Sequence, residues 1–278
     1  MRLFLSLIFG ILLIAGSTWI VLDYPEVQSI AMDVMQKGKF QTLEVRHSAE
    51  NIMDNYKKEL LKDSDHVFLE PILTFHPYLL MEIKYTRSEN QTGEGLILWS
   101  LVDGEMVINA STWETTHGYH DCIIARATRE DFKIINALAT NRGLLDRESL
   151  LKQLNVENDL LDLWLDKCRT KNLIVQHGNS YRLHLQEPKL QVVPETKLNQ
   201  WLVSKPAKNA RRVAKRFRPS QIESIAKAAF GNDFAIRKTT EIFLPVYSIV
   251  VQNPDGSQMT TFWNALNGKR LPQSYNLE

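Results

Sequence analysis

Phe75-His76-Pro77-Tyr78, followed by Trp99 and then Asp103-Gly104, returns near the other end of the chain as Phe243-Leu244-Pro245-Val246-Tyr247, Trp263 and Asn267-Gly268. The two passages keep the interval from Trp to Gly, and each Pro follows a helix-like stretch at almost the same distance. Internal repetition is a statement about architecture. It predicts one structural unit used twice, with an unrelated block between the copies.

In the first copy Ser48 is a candidate N-cap for a helix over 49–62, whose apolar stripe is Ile52, Met53, Tyr56, Leu60 and Leu61. Strands are expected at Val67–Phe75, Tyr78–Tyr85 and Gly95–Val102, the last turning through Asp103-Gly104 into Glu105–Asn109. In the second copy Pro219 opens a helix through Phe230, with Ile222, Ile225, Ala226 and Ala229 inward and Gly231 at its end. Strands are expected at Ala235–Phe243, Val246–Val251 and Met259–Leu266, with Asn253-Pro254-Asp255-Gly256 as a turn. Pro77 and Pro245 are placed at strand starts or edges, where a missing N–H is tolerated. Trp99 and Trp263 read as core residues covering the sheet. Each copy therefore reads as one helix over its own antiparallel meander. Such a unit resembles the PepSY-like and cystatin-like modules of secreted and envelope proteins. The resemblance implies inhibition or interaction, and exposed sheet edges could accept a partner strand.

Between the copies the texture changes. Arg129–Thr140 reads as a helix, Asp146 caps a second holding Leu150, Leu151 and Leu154, and Glu157–Thr170 reads as a third. Leu173-Ile174-Val175, a turn at Gly178-Asn179 and Tyr181–Leu185 then form a hairpin. Three helices and a hairpin resemble a winged helix, with Gly178-Asn179 at the wing tip. Winged helices often lay the third helix in the DNA major groove. Here the leading half of that helix carries Glu157, Asp159 and Asp162 and no base, and those carboxylates would repel phosphates. Lys167, Arg169 and Lys171 complement the dipole at its trailing end. The pattern favours protein contact and disfavours nucleic acid.

Leu3 to Leu22 carries no charged residue, and a run of about 20 apolar residues is the length that crosses a bilayer as a helix. Ala15-Gly16-Ser17 offers a cleavage site, but Trp19-Ile20-Val21-Leu22 extends the run beyond the apolar region of a signal peptide. An uncleaved single-pass anchor through residues 3–22 is expected. Arg2 lies before it and Asp23 and Glu26 after it, which puts the body on the extracytoplasmic side. A net charge of +1 implies no global attraction to polyanions, and two cysteines, Cys122 and Cys168, build no disulfide framework.

From Lys197 to Arg218 no acidic residue occurs. Lys205, Lys208, Arg211, Arg212, Lys215, Arg216 and Arg218 are candidates for binding a polyanion or an anionic lipid surface. Ala210, Val213, Ala214 and Phe217 alternate with four of these bases, as on a helix that is cationic on one side and apolar on the other. His117-Gly118-Tyr119-His120-Asp121-Cys122 offers His117, His120 and Cys122 as metal-ligand types, although a polar loop is the simpler reading. The chain has no Gly-x-Ser-x-Gly elbow, phosphate-binding Gly-Lys-Ser/Thr loop or His-Glu-x-x-His. No cofactor is implied.

The expected fold is α+β: anchor 1–22, stalk 23–46, first repeat 47–125, winged-helix-like block 128–186, basic linker or helix 187–218 and second repeat 219–278. The expected function is a non-enzymatic, membrane-anchored envelope protein that serves as a protein-interaction module or scaffold. The alternative is a membrane-tethered winged-helix DNA-binding regulator with a cytoplasmic body.

Overall fold

The computed structural model describes residues 38–61, 65–86, 91–185, 188–200, 202–272 and 275. The expected anchor and most of the expected stalk lie outside these residues. Among the described residues no helix is long and apolar enough to cross a membrane. The protein is a mixed α+β structure built around a large sheet.

In chain order, β1 (Lys39–Leu43) precedes α1 (Ala49–Asn55) and α2 (Lys57–Leu60). Then come β2 (Val67–Phe68), β3 (Ile72–Thr86), β4 (Thr92–Ser100), β5 (Met106–Asn109), β6 (Glu114–Thr115) and α3 (Tyr119–Ile124). The middle holds α4 (Arg129–Thr140), β7 (Leu144–Asp146), α5 (Arg147–Leu154), α6 (Asn158–Thr170), β8 (Ile174–His177) and β9 (Ser180–Leu183). The last stretch holds β10 (Leu202–Pro206), β11 (Arg211–Arg212), α7 (Pro219–Phe230), β12 (Phe234–Gln252), β13 (Gln258–Asn264) and β14 (Arg270–Leu271).

Pro77 and Pro245 lie inside β3 and β12, not at strand starts. Each marks a change of partner along one long strand. Before Pro77, Thr74 and Phe75 run parallel to Arg211 and Arg212; after it, Tyr78 pairs antiparallel with Ser100. Before Pro245, Phe243 pairs with Thr42 of β1; after it, Val246 pairs with Asn264. A residue without an N–H fits where one ladder stops and the next begins.

The repeat holds down to single hydrogen bonds. Two residues beyond the proline, Leu79 faces Trp99 and Tyr247 faces Trp263. Trp99 then pairs with Met106 and Trp263 with Arg270, each seven positions on. Ser100 N–H donates to Glu105 O and Asn264 N–H to Lys269 O, both at 2.9 Å. Asp103 Oδ1 accepts from Glu105 N–H and Asn267 Oδ1 from Lys269 N–H, both at 3.0 Å. Gly104 and Gly268 take φ 77° and 69°, which a side chain would resist.

The chain divides into two compact units. Among described residues, 38–77, 202–215 and 242–275 form the first, and 78–200 with 216–241 form the second. The division exchanges the helices of the repeats. In the first unit Ile52 and Leu60, from the first copy, pack with Ile249, Val251 and Trp263 of the second. The Tyr56 ring lies 4.5 Å from Trp263. In the second unit Ile222, Ile225 and Ala226 of α7 join Leu79, Met81, Ile83 and Trp99 in one core, and Phe230 meets Trp99 at 6.5 Å. The expectation that each helix covers its own meander is therefore corrected. Both meanders offer a buried Trp and both helices an apolar stripe, so exchange preserves the kind of contact made.

Other expectations are corrected too. Residues 39–43 of the expected stalk form β1, with Phe40, Thr42 and Leu43 buried. The expected 49–62 helix breaks at Tyr56, although Ser48 Oγ does accept from Asn51 N–H. The central block has its three helices, with Asp146 Oδ1 capping α5 by accepting from Ser149 N–H at 2.8 Å. A third strand, β7, pairs with β9 beside the hairpin. This block has no separate core, because Phe132, Leu138, Leu161 and Trp164 belong to the cluster that contains Trp99.

Candidate functional site

The basic run does not form the amphipathic helix its spacing suggests. Lys205 stands on β10 and Arg211 and Arg212 on β11, while Val213 N–H donates to Phe75 O and Phe217 N–H to Leu101 O, both at 2.9 Å. Pro206 and Asn209, at φ 65°, break helical continuity, and pairing with neighbouring strands takes up the backbone donors. Lys205, Lys208, Arg211, Arg212 and Lys215 belong to the first unit, Arg216 and Arg218 to the second.

In the first unit two cations meet rings. Lys205 Nζ lies 5.8 Å from the Phe75 centroid, and the Arg212 guanidinium lies 5.8 Å from that of Phe40. Phe40 makes edge contacts with Phe75 at 5.0 Å and Phe243 at 5.2 Å. Cation–ring contacts within about 6 Å are favourable, which assigns these two bases a packing role. Lys205 and Pro206 also stand on the strand that ends this ladder, where both residue types discourage addition of a further strand.

The His117–Cys122 segment is a helix start and not a loop of ligands. Gly118, at φ 110°, precedes α3. The buried Glu105 carboxylate receives its first donors, Gly118 N–H at 2.9 Å and His120 N–H at 3.1 Å on Oε1 and Tyr119 N–H at 3.3 Å on Oε2, and it also accepts from Thr116 Oγ1–H at 2.7 Å. Burial raises the pKa of Glu105 although these donors oppose it. His120 Nδ1 donates to Asp103 O at 2.8 Å, Cys122 is in the core, and His117 is exposed. Among the described residues no three His, Cys, Asp or Glu side chains gather as a metal site. Both cysteines are free and buried, and burial drives their thiol pKa values upward.

Helix α6 presents a mixed face. Leu161, Trp164, Leu165 and Cys168 point into the core, while Leu160 and Leu163 remain 39% and 50% exposed. Asp159, Asp162 and Asp166 are exposed on the same helix. Asp162 accepts both hydrogen bonds of a fork from Arg147, at 2.8 and 2.9 Å. The buried Asp131 of α4 accepts from Thr128 N–H at 2.7 Å and from Cys168 Sγ at 3.3 Å, and pairs with Lys171.

A cleft of about 850 Å³ opens in the second unit where α3 gives way to α4 and α7 begins. Arg126, Arg129 and Arg218 line it with Thr128, Ser220 and Ser224, over a floor that includes Ile123 and Ile225. Only Arg218 of these arginines belongs to the basic run. Arg126 and Arg129 are isolated in sequence and are brought there by folding, so charge clustering along the chain does not mark them. No family model matches the chain, and no curated protein or solved structure is significantly similar to it.

Proposed function

We propose that the protein is a non-enzymatic interaction module, anchored to a membrane by residues 3–22 with its body on the extracytoplasmic side, and that the central block contacts a partner protein. The observation that carries this reading is the face of α6. Leu160 and Leu163 stand exposed among Asp159, Asp162 and Asp166. An apolar pair flanked by Asp159 and Asp166, with Asp162 held by Arg147, suits a partner surface with an apolar groove and basic edges. The uncharged stretch 3–22 supports the anchor by its length.

The order α4–β7–α5–α6–β8–β9, with its three-stranded antiparallel sheet, supports a winged-helix-like description of the block. That order also suits the second reading, a membrane-tethered DNA-binding regulator. The carboxylates of α6 weigh against it, because they would face the phosphates.

A photo-crosslinking residue at position 163, in full-length protein in native membranes, is expected to give a discrete protein adduct. Leu160→Asp in the same chain is expected to abolish it. A reporter fused after Glu278 is expected to be active only outside the cytoplasm. DNA recovered with the body, or a reporter active inside, would favour the regulator instead.

A further inference from the structure

We propose that the cleft lined by Arg126, Arg129 and Arg218 is a binding site for a phosphate group carried on a partly apolar body. The inference does not depend on the anchor or on the α6 face.

Charge imbalance marks the cleft first. Three guanidinium groups line it with no carboxylate among the lining residues. Neither Arg126 nor Arg129 forms an ion pair with any described residue. The helix termini add to the imbalance. Arg129 is the first residue of α4 and Arg218 the N-cap of α7. A helix N-terminus carries partial positive charge, so a cation there is on the disfavoured side of the dipole. In α4, Glu130 and Asp131 offset this in the first turn, but Asp131 is turned to Lys171, Thr128 and Cys168. The first turn of α7 has no acidic residue. A bound anion would relieve the like charges of Arg126 and Arg129 together.

Arg126 has an unusual backbone. It ends α3 in the left-handed region, at φ 50°, with its N–H on Ile123 O at 3.1 Å and the next N–H on Cys122 O at 2.9 Å. Glycine or asparagine is the usual occupant of such a helix end. Here an arginine holds it with an exposed side chain at the cleft.

The remaining lining selects the ligand class. Arginine forks match phosphate oxygens two at a time, and the hydroxyls of Ser220 and Ser224 can donate to the rest, the Thr128 hydroxyl being given to Asp131. Ile123, Ala127, Ile225 and Ala228 supply an apolar floor that inorganic phosphate would leave uncovered. Both a soluble phosphate ester and a phospholipid headgroup have this chemistry.

The test uses full-length protein in a non-ionic detergent, titrated calorimetrically with inorganic phosphate and separately with dihexanoyl phosphatidic acid. Saturable binding is expected for both. Phosphatidic acid is expected to bind at least tenfold tighter than phosphate, because it covers the apolar floor; comparable affinities would overturn the partly apolar body. Phenyl phosphate, titrated in the same way, indicates a soluble ester if it matches phosphatidic acid and the lipid source if it binds at least tenfold more weakly. Arg129→Ala and Arg126→Gly are each expected to weaken binding about tenfold. Arg126→Gly also suits the left-handed backbone, so its melting temperature should hold or rise, which separates a lost site from a lost fold. No saturable binding of either probe, or binding unchanged in both variants, would overturn the proposal.

Discussion

The two copies of the repeat share a register and live in different surroundings. Trp99 and Trp263 are both fully buried and both face a residue two beyond a proline. Trp99 donates from its indole nitrogen to Gly104 O at 2.7 Å, while Trp263 donates to Thr261 Oγ1 at 2.8 Å. Around Trp99 the core continues through α7 into α4 and α6. Around Trp263 it is a small cluster under α1 and α2. Equal backbone geometry therefore specifies the meander, and what the outer face of the helix meets decides the size of the core.

The largest expected effect breaks the comparison at its centre. Trp263→Ala and Trp99→Ala should each cost about 3–5 kcal/mol, as for removal of a large buried aromatic. In hydrogen exchange, Trp263→Ala should release 246–264 and spare 130–183, and Trp99→Ala should do the reverse. Loss of protection throughout in both variants would mean that the two units melt as one.

The second test lies just before the prolines. His76 occupies the place that Leu244 fills in the other copy, and both are buried. Burial pushes the His76 pKa down to about 4, and its Nδ1 has no hydrogen-bond partner among the described residues. Between its ordinary value of 6.5 and about 4, the unfolded chain takes up the proton and the folded chain does not. Stability from this group is therefore complete above that window and lost as pH falls through it. Going from pH 7 to pH 5 should cost about 2 kcal/mol through this residue, read by urea melts. His76→Leu, which imports the residue of the other copy, should remove that slope.

The smallest effect lies at the paired glycines. Alanine at either position meets the left-handed penalty of about 1–2 kcal/mol. At Gly104 a Cβ would also come within 2.8 Å of Ile123 and 2.9 Å of Phe217, both buried, whereas at Gly268 its nearest neighbour is the half-buried His47 ring at 3.0 Å. Gly104→Ala should therefore cost about 1 kcal/mol more than Gly268→Ala, measured as the difference in unfolding free energy.

The repeat is legible in the sequence because Pro, Trp and Asp/Asn-Gly each answer to a local backbone demand. The same holds for the caps at Ser48 and Asp146 and for Gly231, which ends α7 at φ 85°. The exchange of helices is not legible. The stripes that contain Ile52 and Ile222 are alike in kind, and nothing local says which meander each will meet. The basic run misleads because Ala210, Val213, Ala214 and Phe217 fall at helical spacing, while strand partners distant in sequence decide the outcome. In the cleft only Arg218 can be picked out beforehand; Arg126 and Arg129 become neighbours of it through the turn that closes α3.

Because α1 and α2 are covered by strands some two hundred positions further along, roughly, their apolar side chains have no cover until those strands have been synthesised. A nascent chain would display Ile52 and Leu60 to chaperones for most of translation. A premature stop anywhere before β13 would leave that helix pair permanently bare, so the state of the first helix reports whether the distal strands were ever made.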